Sequence, residues 1–175
     1  MRNAWRAVIA LFGVCFLMAA TGCNSCGFYT HNTFKADSTA AQPLNSGAAR
    51  RDLSADESRG GHTLKRHVGR TDAELRERLQ REPNIGAAST YTDRATAEQV
   101  VAEAIAANQD RISRWAERSS GRHPNLVLDY NSTQAVGRTL RRGESEAEAC
   151  SHALVVLKFD GHGEYHVVTS YPECR

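Results

Sequence analysis

Two histidines, His62 and His67, sit five residues apart in the stretch "GGHTLKRHVGRTDAEL" (60–75), among glycines and basic side chains. An imidazole with an ordinary pKa gives and takes protons near neutral pH. On a helix a five-residue spacing turns the two rings about 140° apart. A helical zinc pair needs i, i+4 with an intervening acid, as in HExxH. No acid separates these histidines, so neither a metal nor any other cofactor is expected. No Walker A loop, GxGxxG turn after a strand, or GxSxG elbow occurs either. Acid–base chemistry without a metal remains. His67 is flanked by Lys65, Arg66 and Arg70, and Arg78 follows in the next helical stretch. Guanidinium presents a fixed fork of donors to phosphate oxygens. Near the other end, "VVTSYPE" carries Thr169 and Tyr171, two apart and so on one face of a strand. A histidine and an arginine from the helical side, meeting two hydroxyls across a cleft, suit metal-free cleavage of RNA. The same residues also read as a solvated basic turn and an ordinary strand.

The elements that must hold these groups are legible. "TDAELRERLQRE" opens with Thr71 and Glu74 in capping-box spacing. Leu75 and Leu79 share one face, and Pro83 ends the helix. "NIGAASTYT" is irregular or extended. "DRATAEQVVAEAIAANQDRISRWAERSS" predicts one long amphipathic helix, with Val101, Ala104, Ile105, Ile112 and Trp115 at helical spacing, stopped by Gly121 and Pro124. Beyond it, "NLVLDY", "AVGRTLRR", "HALVVLKFD" and "EYHVVTSY" are short runs with strand character. Helices first and strands last define an α+β fold, N-terminal helices packed on a C-terminal antiparallel sheet. "DGHG" is a turn between the last two strands. A hairpin centred on His162 sets Thr169 opposite Val155, Tyr171 opposite Ala153, and Cys150 opposite Cys174. A Cys150–Cys174 disulfide is then geometrically reasonable; the alternative is two free thiols at frayed ends. His166 falls on the face opposite Thr169, which makes it a poor second acid–base partner.

The 175 residues carry a net charge of +2, so no uniform basic field draws in nucleic acid or membrane. "MRNAWR" is followed by 14 apolar residues, "AVIALFGVCFLMAA", too few to span a bilayer comfortably, and then "ATGC". This is the layout of a secretory signal peptide over residues 1–22. It resembles a bacterial lipobox, with Ala20 where leucine is usual. That resemblance implies cleavage before Cys23, acylation of Cys23 and a membrane anchor. Asn24 in place of an aspartate points to the outer membrane. The alternative is an ordinary signal cut near Ala20. Export makes disulfides permissible, with Cys26 the odd one left over. Residues 23–59 are polar and aperiodic and read as a flexible tether. Residues 60–175 form one domain with a modest core.

The segment from Gly60 through "AEQVVAEAI" resembles the start of the bacterial RNase A-like toxin domain. That domain ends contact-dependent growth inhibition proteins and other polymorphic toxins. "NLVLDY", "VGRTLRR", "ALVVLKFD" and "YHVVTSYPE" resemble its later segments in the same order, so the likeness runs from Gly60 to Glu173. It implies an RNase A-like fold and a catalytic set of His67, Arg78, Thr169 and Tyr171. His62, Lys65 and Arg70 become substrate-binding residues. The implied activity is toxic endoribonuclease, a metal-independent transphosphorylation leaving a 2′,3′-cyclic phosphate, with His67 as general base or acid. Pancreatic-type ribonucleases use two histidines and a lysine; the partner of His67 here is open. The expected partners are RNA, including tRNA, and a cognate immunity protein, for a monomeric toxin exported by one cell and active in the cytoplasm of its neighbour. The competing reading is a non-catalytic envelope lipoprotein, a binding module with the same fold.

Overall fold

The computed structural model describes residues 50–118 and 123–175. The expected signal segment (1–22), Cys23, Cys26, most of the expected tether and Gly121 lie outside the described residues. No helix among the described residues is long and apolar enough to cross a membrane.

The chain enters as helix α1 (Leu53–Ser58), then α2 (Thr63–His67) and α3 (Asp72–Arg81). Strand β1 (Ala87–Tyr91) precedes α4 (Arg94–Ala107) and α5 (Gln109–Ala116). The remainder is β2 (Leu126–Asn131), β3 (Gly137–Arg141), β4 (Glu148–Cys150), β5 (His152–Gly161) and β6 (Glu164–Glu173). The strands form two antiparallel sheets, ordered β1-β3-β4 and β2-β5-β6. The larger core lies between α4, α5 and the second sheet, and contains Val100, Ala104, Ile112, Leu128, Val155 and Val167. A smaller one joins Leu75 and Leu79 of α3 to Ala88 and Leu140. The architecture is α+β, with helices packed on two antiparallel sheets.

Three expectations change, and one left open is decided. The tether does not reach Arg59, because α1 is folded into the domain. Leu53 is fully buried, and the buried Asp56 carboxylate accepts from Arg51 Nε and Nη2 at 2.7 Å each. The long helix is two helices. The Asn108 amide donates to the Ala104 carbonyl at 2.8 Å, and this side-chain competition for the backbone closes α4 and starts α5. "AASTY" is a buried strand rather than an irregular connection, because β3 supplies a pairing partner far away in the chain.

The fourth is register. Thr169 faces Val156 and Tyr171 faces Leu154, one residue from the simple hairpin count. His162 and Gly163 form the tip, both at positive φ, and two irregularities follow along the ladder. The second leaves Val168 as the extra residue of a bulge, and its carbonyl accepts the backbone N–H of His62 at 2.9 Å. Gly61 permits that approach, since a Cβ there would lie 2.5 Å from the Val167 carbonyl oxygen. Cys150 and Cys174 form a disulfide that ties the end of β6 to β4.

The outer edge of β6 is covered by α1 and α2. The Asp56 carboxylate accepts from Val167 N–H at 2.9 Å, and the Thr63 hydroxyl from Ser170 N–H at 2.9 Å. Removing one partner of a buried ion pair costs about 3–5 kcal/mol. Asp56→Ala is therefore expected to lower the unfolding free energy by that order in urea denaturation. A protein begun at Gly60 should melt well below one begun at Arg50. Equal melting temperatures would show that α1 adds nothing to the fold.

Candidate active site

α2 is short and ends on His67, the residue it exists to place. The helix is pinned to β6 at its start. At its end the chain turns through Gly69, at φ 65°, whose N–H donates to the Tyr91 carbonyl at 3.3 Å. His67 thus lies against β1, with Nδ1 3.1 Å from the Ser89 carbonyl oxygen. A carbonyl only accepts, so Nδ1 carries the hydrogen and Nε2 keeps its lone pair. The ring is 8% exposed and lies 5.4 Å from the Tyr171 ring, centroid to centroid. Burial, followed by the positive charge of Arg78, pushes the His67 pKa down to about 3. The imidazole is neutral at neutral pH, with its lone pair on Nε2.

α3 brings Arg78. The helix begins with the complete Thr71/Glu74 capping box and is held to β3 by Arg138, which donates to Asp72 Oδ1 at 2.6 Å and to the Arg70 carbonyl at 2.7 Å. Arg78 Nε donates to Glu82 at 3.3 Å, whereas its buried Nη1 has no partner in the protein. The Thr169 hydroxyl is buried and unpartnered as well. Leaving such groups unsatisfied costs about 1–3 kcal/mol each. Both residues line one cavity.

His62, His67, Arg78, Thr169 and Tyr171 all line one cavity of about 410 Å³. Burial, then Arg66 and Arg78, lower the His62 pKa; burial raises the Tyr171 phenol, so its O–H stays protonated at neutral pH. Lys65 and Arg70 are not in this cavity. They line an adjoining groove of about 460 Å³ with Arg66 and Arg81, sharing Arg78 with the main site. The Arg70 guanidinium is engaged locally, donating to Glu74 at 3.1 Å and to the Lys65 carbonyl at 2.6 Å. His166 is buried elsewhere, its Nδ1 2.6 Å from Asp160. No group of three His, Cys, Asp or Glu among the described residues could hold a metal ion.

Sequence reasoning missed Ser89, Thr139, Arg141 and Glu173, which complete the cavity wall. Ser89 acts through its carbonyl, which any residue type supplies. Thr139 and Arg141 become neighbours of the site only once β3 pairs with β1. Glu173 could have been found, since it continues the alternation of Thr169 and Tyr171.

Residues 61–172 match the family of the bacterial CdiA-CT RNAse A domain, and the chain belongs to that family. A crystal structure of a CdiA-CT/CdiI complex from Y. kristensenii 33638 contains a chain of 34% sequence identity, with a TM-score of 0.58, over 65% of this chain and 100% of that one. No curated protein matches the chain. Family and fold together identify an RNase A-like toxin domain.

The depressed histidine pKa has a thermodynamic sign. Unfolded, His67 takes up a proton as pH falls through about 6.5; folded, only near 3. The unfolded state binds more protons between these values, so the stability contributed by neutral His67 is complete above that window and is lost as pH falls through it. In NMR titrations the His67 ring protons are expected to hold constant shifts from about pH 8 to about pH 5, where a model histidine changes fully. A midpoint near the model value would contradict the buried, neutral assignment.

Proposed function

We propose that this protein is a toxic endoribonuclease that cleaves RNA by metal-independent transphosphorylation. The observation that carries the reading is the convergence of neutral His67 with two unpartnered donors, Arg78 Nη1 and Thr169 Oγ1, on one cavity. His67 Nε2 accepts the proton of a ribose 2′-hydroxyl. O2′ then attacks the adjacent phosphorus, and the P–O5′ bond breaks. Arg78 and Thr169 hold the phosphoryl oxygens, where charge grows in the transition state. Tyr171, kept protonated by burial, gives the proton that leaves with O5′. The products are a 2′,3′-cyclic phosphate and a 5′-hydroxyl. His62 positions substrate as a neutral donor. Lys65 and Arg70 flank the entrance from the neighbouring groove.

The family and the leader-like N-terminal segment support a reading of the surrounding biology as well. The resemblance of residues 1–23 to a lipoprotein signal supports export and a lipid anchor on Cys23 in the outer membrane. The toxin then passes to a neighbouring cell and acts on RNA, tRNA included, in that cell's cytoplasm. The related structure is of a CdiA-CT/CdiI complex, which supports a cognate immunity protein in the producer.

Total RNA incubated with the purified protein in excess EDTA should be degraded to fragments with 2′,3′-cyclic phosphate ends, read by mass spectrometry. His67→Ala is expected to lower kcat/KM by about 10²–10⁴, and Arg78→Gln by about 10²–10³. His62→Ala should retain more activity than His67→Ala. Cleavage abolished by EDTA would exclude the metal-independent route, and the reverse order of the two histidines would reassign the base.

A further inference from the structure

The cavity extends past the groups that handle phosphate. Thr169, Tyr171 and Glu173 alternate along β6, each partly exposed between the buried Ser170 and Pro172. They span about 13 Å at the rise of an extended strand. On the facing wall, Ala87 pairs with Arg141 and Ser89 with Thr139, and all four line the same cavity. The intervening Ala88 and Leu140 point the other way, onto α3. The two ends of the cavity therefore differ in chemistry. One end holds His67, Arg78 and Thr169. The other holds Arg141 and Glu173, which the reaction above does not use.

Arg141 is held in place at that far end. Nη1 donates to Glu148 Oε2 and Nη2 to the Cys174 carbonyl, both at 2.8 Å, and Cys174 is itself bonded to Cys150. The guanidinium is thus fixed one residue from Glu173 and retains further N–H donors. Glu173 lies 3.3 Å from Arg175 Nε and 3.6 Å from His152 Nδ1, with its side chain 39% exposed. A carboxylate only accepts and a guanidinium only donates. Lining one end of the same cavity, the two together suit an edge that offers adjacent donors next to an acceptor. Guanine has N1–H and N2–H₂ beside O6, and arginine suits its O6 and N7. Adenine and cytosine each offer a single exocyclic amine, and uracil a lone N–H between two carbonyls.

The position of the base along the substrate follows from His67. Its ring packs beside Tyr171, between Thr169 and Glu173 along β6. The 2′-hydroxyl that His67 deprotonates lies there, so the nucleoside bearing it runs from Tyr171 toward Glu173. We propose that Arg141 and Glu173 form a base subsite for guanine on the nucleotide 5′ to the scissile phosphate. The toxin then cuts RNA after guanosine. This rests on the transphosphorylation reading above.

Four DNA oligonucleotides that differ only in a single ribonucleotide, G, A, C or U, test it with the full chain. Each offers one 2′-hydroxyl and hence one cleavable bond. The expected kcat/KM for the G substrate exceeds each of the others by at least about tenfold, as one bidentate base contact allows. Glu173→Gln and Arg141→Lys should each shrink that ratio at least about fivefold, a readout that a merely structural role leaves unmoved. Equal rates on the four substrates, preference for another base, or a guanine preference intact in both variants overturns the subsite. Failure of the wild type on all four and on total RNA strikes the reaction itself instead.

Discussion

The outer edge of β6 is the constraint from which the site follows. An edge strand exposes backbone donors and acceptors that must find partners. Here they find α1 and α2: Asp56 takes Val167 N–H, Thr63 takes Ser170 N–H, and the bulged Val168 carbonyl takes His62 N–H. The bonds that shield the edge also dock the histidine-bearing helix onto the strand that carries Thr169 and Tyr171. Behind them, the fully buried Ser170 hydroxyl bonds the Leu154 carbonyl at 2.9 Å and the Tyr91 hydroxyl at 2.5 Å, so β1 is locked to the same point. Edge protection and site assembly are one arrangement.

That arrangement buries a histidine at the edge of a cavity. Burial strips His67 of its proton, and the Ser89 carbonyl dictates which nitrogen keeps the remaining hydrogen. A neutral imidazole is thereby held in one orientation. The unpaired Arg78 Nη1 and Thr169 Oγ1 oppose folding, so the cavity keeps polar groups that the fold itself does not satisfy. In the proposed reaction these are the groups that meet the phosphoryl oxygens, where charge develops.

Local signals carried the reading of the sequence a long way. The capping box at Thr71, the Leu75–Leu79 pair and the strand character of the C-terminal third mark real elements, and His62, His67, Arg78, Thr169 and Tyr171 meet in one cavity, while Lys65 and Arg70 line the groove beside it. What stayed hidden depends on contacts distant in sequence. "AASTY" becomes a strand because β3 pairs with it. Asn108 breaks a helix that the apolar periodicity would continue. The register of β6 turns on an extra residue, Val168, whose purpose shows only when α2 lies beside it. α1 was hidden by composition, since Leu53 and Asp56 are the buried exceptions in a polar stretch.

The distance along the chain between the halves of the site bears on manufacture. His67 and Arg78 leave the ribosome about a hundred residues ahead of Thr169 and Tyr171. None of the segments made earlier contains the hydroxyls of β6, and α2 has no edge to dock on until that strand emerges. A polypeptide broken off short of β6 therefore lacks Thr169, Tyr171 and Glu173 from the wall of the cavity. Under the proposed reaction, the growing chain carries only half of its chemical groups until the last strand of the domain has been made.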